Sequence, residues 1–165
     1  MSSPPARLRL GIIMPDINTF LSYDRHTEEA VRLYLDVFEN GKVLSTSHGP
    51  DGKVFSMTFE LFGKTFMAMN GGPSFTFAQG ISLFVSCETQ AQIDRYWSRL
   101  TADGGREVQC GWLVDKFGVS WQIIPKVLGS LLGGSDREKA GRALAAMMKM
   151  QKLDIAELQR AYDGA

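Results

Sequence analysis

Apolar and polar positions along the chain fall into a pattern that occurs twice. INTFLSYD (17–24) aligns with ISLFVSCE (81–88) at an offset of 64, sharing Ile, Phe and Ser and closing on an acid. TEEAVRLY (27–34) then aligns with TQAQIDRY (89–96), with Thr and Tyr at the ends. The first block alternates as a strand does. In the second, Ile93, Tyr96, Trp97 and Leu100 recur at the i, i+3, i+4, i+7 spacing of one helix face, and Ala30, Val31, Tyr34 and Phe38 mark the same stripe in the first half. Thr89 with Gln92 has the spacing of a capping box, and Gly41 and Gly104 mark the helix ends. KVLSTSH (42–48) and KVFSMTFEL (53–61) read as strands, with REVQCGWLVDKF (106–117) in the corresponding place of the second half. FGKTF (62–66) returns as FGVSW (117–121), with Gly63 and Gly118 at hairpin turns. Each half therefore predicts a βαβββ unit, and the two read as a duplication.

After Pro125 the period becomes helical. Val127 to Leu132 is a short apolar piece ending at Gly133-Gly134. Ser135 with Glu138 has capping-box spacing, followed by a stripe of Ala140, Ala143, Leu144, Met147, Met148 and Gln151; Asp154 with Glu157 repeats the signal ahead of Ile155, Leu158 and Tyr162. A helical extension over 126–165 follows a domain over 1–125, whose modules span about 15–72 and 79–125.

Composition narrows the function classes. The 165 residues include 18 Lys plus Arg against 18 Asp plus Glu, with no basic run. A phosphate backbone or an anionic membrane surface would find no electrostatic footprint. No segment approaches the ~18 apolar residues of a membrane span, and the N-terminal apolar piece, Leu10 to Met14, breaks at Pro15. We expect neither a signal peptide nor a spanning helix. Cys87 and Cys110 form no CxxC pair, so neither a zinc finger nor a disulfide scaffold is expected, and a reducing cytoplasm is the expected compartment. A small molecule is the expected partner.

AVRLYLDVF (30–38), FMAMNGGPSFTF (66–77), CETQAQIDRYW (87–97), CGWLVDKFGVSWQIIP (110–125) and the tail through LDIAELQRAY (153–162) resemble the vicinal oxygen chelate superfamily, which includes glyoxalases, bleomycin-resistance proteins and extradiol dioxygenases. Within it, the chain is similar to the PhnB-like branch, the family labelled 3-demethylubiquinone-9 3-methyltransferase. The resemblance implies an α+β fold of two paired βαβββ modules, each curling its sheet around a pocket. Metal-binding members carry His near the start of the first and fifth strands and Glu within the fourth and eighth. Those positions fall near Asp16 or Asn18, at Gly80, at Met67 or Met69, and at Gln122. Thioether and carboxamide groups are poor ligands for Zn, Fe, Ni or Mn, so no bound metal and no other cofactor is expected.

Strand alternation places Asn18, Phe20, Met67 and Met69 on one face of the first module, and Ser82, Phe84, Ser120 and Gln122 on the matching face of the second. Ile81, Leu83 and Val85 are assigned to the helix side. With Asn70, Cys110 and Trp112 nearby, the expected ligand-binding set is Asn18, Met67, Met69, Asn70, Phe84, Cys110, Trp112 and Gln122. Apolar walls with a few neutral hydrogen-bonding groups suit a small-molecule pocket; the same side chains at strand spacing also suit a filled core. His26, at a helix entrance, and His48, in a loop, are expected to be solvated. Cys110 reads as a structural thiol rather than a nucleophile. Gly71-Gly72, Gly104-Gly105 and Gly133-Gly134 are isolated pairs, so no Gly-rich turn supports S-adenosylmethionine binding. Three readings stay open beside the methyltransferase that the family label suggests: a metal-independent small-molecule binder, a metal-assisted lyase, isomerase or dioxygenase, and an interaction module using Met147, Met148 and Met150. A homodimer suits all three, because sheet edges need covering.

Overall fold

A computed structural model describes residues 17–165. Asp16 and the Leu10 to Met14 segment lie outside the described residues. The first half forms β1 (Thr19–Tyr23), α1 (Thr27–Val37), β2 (Lys42–His48), β3 (Val54–Leu61) and β4 (Lys64–Asn70). The second forms β5 (Leu83–Cys87), α2 (Gln90–Thr101), β6 (Arg106–Glu107), β7 (Trp112–Val114) and β8 (Ser120–Pro125). Each half is a four-stranded mixed sheet, ordered β1-β4-β3-β2 and β5-β8-β7-β6. The outer strands β1 and β5 run parallel to their neighbours. The fold is α+β, as the repeat implies.

The Thr89–Gln92 capping box opens α2. The α1 terminus differs: His26 gives no side-chain cap, and the Thr27 N–H donates instead to Asn70 Oδ1 at 3.0 Å. Gly63 and Gly118 take the left-handed turn positions, with φ of 74° and 91°. Ile81, assigned to the helix side, is 79% exposed, because β5 begins two residues later and nothing packs over its approach.

The two sheets turn their helix-covered faces toward one another. Tyr34 of α1 lies between Phe59 of β3 and Trp121 of β8, its ring centroid 6.3 Å from the former and 5.1 Å from the latter. Phe38 of α1 packs against Tyr96 of α2 at 5.0 Å and Trp121 at 5.1 Å. One core therefore joins the modules, with Tyr34, Phe38, Phe59, Ile93, Leu113 and Ile123 all within 1% of complete burial.

Asp115, in the β7–β8 turn, anchors this core. Its Oδ1 accepts from the Phe117 and Val119 backbone N–H groups at 2.9 and 3.0 Å, and its Oδ2 from the Tyr34 hydroxyl at 2.8 Å and Trp121 Nε1 at 2.9 Å. Tyr23 and Tyr34 hydroxyls lie 3.0 Å apart. Burial pushes the Asp115 carboxyl above the usual carboxylate range while these four bonds pull it down. Burial likewise holds both tyrosines above their ordinary value.

The extension forms α3 (Leu128–Gly133), α4 (Arg137–Met147) and α5 (Ile155–Asp163). The α4 cap is Asp136, one residue later than the Ser135 expectation, because its carboxylate accepts from the Glu138 and Lys139 N–H groups. Asp154 caps α5 through the Glu157 N–H as its spacing predicts. These helices enclose a second cluster of Ile124, Leu128, Leu131, Ala143, Met150, Leu153 and Leu158, with Met147 packed on it. Ile124 belongs to β8, so the extension covers one end of the second sheet's outer face. Leu144 and Met148 are 46% and 54% exposed. The buried stripe thus runs through Ala140, Ala143, Met147 and Met150, which puts two of the three interaction methionines into the tail's own core. Among the described residues no helix is long and apolar enough to cross a membrane.

Candidate functional site

Register sets the composition of each outer face. In the first sheet Phe20 pairs with Met67 and Met67 with Thr58; Ser22 pairs with Met69 and Met69 with Ser56. Ala68, between the two methionines, is fully buried on the core side, so Met67 and Met69 point the other way and are partly exposed. In the second sheet Trp121 and Ile123 face the core, which turns Gln122 outward. Phe84 and Trp112 both pair with Gln122, so one row reads aromatic, amide, aromatic. Gln122 Nε2 donates to Ser82 Oγ at 2.8 Å. Among the described residues, Gln122 Oε1 and the Trp112 indole N–H have no partner.

The expected set therefore divides. Met67 and Met69 lie on one outer face, Phe84, Trp112 and Gln122 on the other, with the shared core between them. Asn18 sits beside Thr19 and lines a separate cavity of about 350 Å³ with Gly63 and Thr65. Asn70 also has a positioning part: besides capping α1, its Nδ2 donates to the Val54 carbonyl at 2.8 Å. This partly buried amide finds its partners inside its own module. Cys110 is engaged by the C-terminal extension. Its Sγ contacts the Met147 carbonyl and Met148 Sδ, each at 3.7 Å, while its N–H donates to the Met150 carbonyl at 2.8 Å. It docks the tail. Cys87 is buried, which pushes its thiol up to about 11 and keeps it protonated at neutral pH.

A second, more apolar cavity, also about 350 Å³, opens at the seam where the β3–β4 hairpin meets β5 and α2. Phe62 and Phe66 of the hairpin, Tyr96 of α2 and Trp121 line it, together with Phe84. Sequence reasoning missed Phe62 and Phe66 here, because the FGKTF repeat was read for its turn glycine rather than for where its rings would point.

The donor chemistry does not fit a transition metal. Of the positions matching the superfamily's ligands, Asp16, the one carboxylate among the candidates, lies outside the described residues and its alternative Asn18 is an amide; the others hold thioethers at Met67 and Met69, no side chain at Gly80, and at Gln122 a carboxamide engaged with Ser82. Among the described residues no three His, Cys, Asp or Glu side chains converge. The three glycine pairs follow a strand, a helix and a helix, and none links a strand to a helix start.

Residues 15–124 match the family model described as 3-demethylubiquinone-9 3-methyltransferase. The chain belongs to this family. A putative 3-demethylubiquinone-9 3-methyltransferase, PhnB protein, from Bacillus cereus is 32% identical over 67% of this chain and 99% of its own, with a TM-score of 0.63. A Pseudomonas aeruginosa protein of 16% identity superposes with a TM-score of 0.57 over 68% of this chain and 98% of its own. The fosfomycin resistance protein FosX from Listeria monocytogenes, solved with Mn(II), is 14% identical with a TM-score of 0.51 over 68% and 93%. The last two share the fold of the vicinal oxygen chelate superfamily. No curated protein matches. All three alignments leave about a third of this chain without a counterpart.

Proposed function

We propose that this PhnB-like protein binds a small neutral or aromatic molecule without a metal, on the outer sheet faces. The row Phe84–Gln122–Trp112 carries the reading. Two rings flank an amide whose carbonyl oxygen is unengaged, and the Trp112 N–H supplies a donor beside it. A planar ligand bearing one donor and one acceptor would satisfy both groups while burying its faces.

One chain leaves this row open, since Met67 and Met69 face outward from the opposite side. A second copy would close it. The edge strands β1 and β5 each have one free side and carry Phe20 and Phe84, 49% and 60% exposed. Pairing β1 of one chain with β5 of another would bring the two methionines toward the partner's Phe84–Gln122–Trp112 row and cover the apolar edges.

A native mass spectrum of the untagged protein tests both parts. We expect a dimer, either free of metal or carrying a small organic mass. A stoichiometric increment matching a transition metal would overturn the metal-independent reading. For any retained molecule, Gln122→Ala should weaken binding about tenfold, the worth of one lost hydrogen bond.

A further inference from the structure

The duplication makes the two ends of the inter-module seam comparable position by position. At the first end Tyr23, Tyr34 and Asp115 meet in one hydrogen-bonded chain, and the β7–β8 turn packs Phe117 against Tyr23 at 6.1 Å. Phe77, from the segment linking the modules, fills the remaining space, its ring centroid 5.1 Å from Tyr23. At the second end the repeat puts Cys87 where Tyr23 stood, Tyr96 where Tyr34 stood and Glu60 where Asp115 stood. A thiol replaces a phenol ring, and Glu60 turns outward to pair with Lys42. No equivalent of Phe77 is supplied. Of these residues, Tyr96 lines the seam cavity.

Three features of that cavity point to an occupant. Tyr96 is only 2% exposed and lines it, yet its hydroxyl makes no hydrogen bond within the described residues, whereas Tyr34 makes two. Lys64 also lines it and has no anionic partner there, while Glu88 on the same wall is neutralised by Lys126. Phe62 is held at φ 48°, a left-handed conformation that a bulky side chain adopts at a cost, and there its ring packs on Phe38 at 5.8 Å as part of the wall. A hollow lined mainly by aromatic and aliphatic side chains, with the Tyr96 and Ser86 hydroxyls, the Gln92 amide N–H₂ and the Lys64 ammonium unpartnered at its wall among the described residues, has the chemistry of a site for an apolar anion.

We propose that the seam cavity, which touches the outer-face row only through Phe84, is a second binding site for a small apolar monoanion such as an aromatic or medium-chain carboxylate. Its apolar body lies among the rings of Phe62, Phe66 and Trp121. Its charged group is recognised by the Tyr96 hydroxyl and the Lys64 ammonium.

The anionic fluorophore 8-anilinonaphthalene-1-sulfonate, its uncharged relative N-phenyl-1-naphthylamine, and decanoate as competitor test this on the full-length protein. We expect saturable binding at one site per chain, displaced by decanoate. Tyr96→Phe should weaken the anionic probe about tenfold with the thermal midpoint preserved, since no internal bond is lost. Lys64→Gln should weaken it about three- to fivefold and leave the neutral probe unchanged. Phe62→Gly relieves the backbone while removing a wall, so it should weaken both probes in a protein that still folds. Lys53→Gln, an exposed lysine elsewhere, should alter neither. Equal affinities for the anionic probe in wild type, Tyr96→Phe and Lys64→Gln would overturn the proposal. So would probe binding that vanishes as the protein dimerises, because the occupant would then be a second copy of the chain.

Discussion

Asp115 is 3% exposed and accepts four hydrogen bonds, two of them from side chains of different modules. Replacing it with Asn puts an N–H₂ group opposite at least one pair of donors, so Asp115→Asn should destabilise the fold by about 2–4 kcal/mol in chemical denaturation. The pH dependence has a definite sign. Burial holds the folded carboxyl above its unfolded value of about 3.9, so its contribution is fullest below that value and fades as pH rises through the folded one. The stability of wild type relative to Asp115→Asn should therefore increase on acidification toward the unfolded value; a difference that falls on that approach would contradict the assigned direction. Asn70 makes a second test at this scale. Asn70→Ala orphans the Thr27 N–H and the Val54 carbonyl and should cost about 1–2 kcal/mol in a thermal melt. Because Asn70 positions α1 rather than lining the outer-face row, ligand affinity at Gln122 should be unchanged.

Elements whose formation depends on local spacing were readable from the chain itself. The Thr89 and Asp154 caps, the turn glycines Gly63 and Gly118, and the limits of β2 all follow from residues within a few positions of one another. Partners chosen across the fold were not readable. Asn70 reaches α1, 43 positions away, and Cys110 meets Met147 and Met148, so periodicity could place these residues on a strand or turn but not reveal what they touch. Leu144 and Met148 mark the same limit within a helix, where a neighbouring alanine stripe won the buried side. The docking of the extension gives a prediction at this scale. Gly111 has φ 82°, its N–H donates to the Gln151 carbonyl, and an added Cβ would lie 2.7 Å from Ile124 Cδ1 and 2.9 Å from the Ile123 carbonyl. Gly111→Ala should lower the midpoint and release the tail, read as faster amide exchange in α4 and α5 than in α1.

For the whole molecule, the decisive feature is that the sheets share their helix sides and present their other sides outward. The repeat alone could not disclose that arrangement, and the proposal that a second copy closes the outer-face site can be tested at the β1 edge. Phe20→Glu should shift the protein from dimer to monomer in light scattering, because it sets a charge on the β1 edge; a variant that stays dimeric would place the interface elsewhere. The Tyr34–Asp115 bond spans 81 positions of sequence. During synthesis at about 5–20 residues per second, the first module would wait on the order of ten seconds with Tyr34 and Phe38 lacking their cover. Cut from its companion, it would keep that bare apolar surface. A gene encoding a single such unit would leave that surface to be covered by self-association, a need the two modules of this chain meet within one polypeptide.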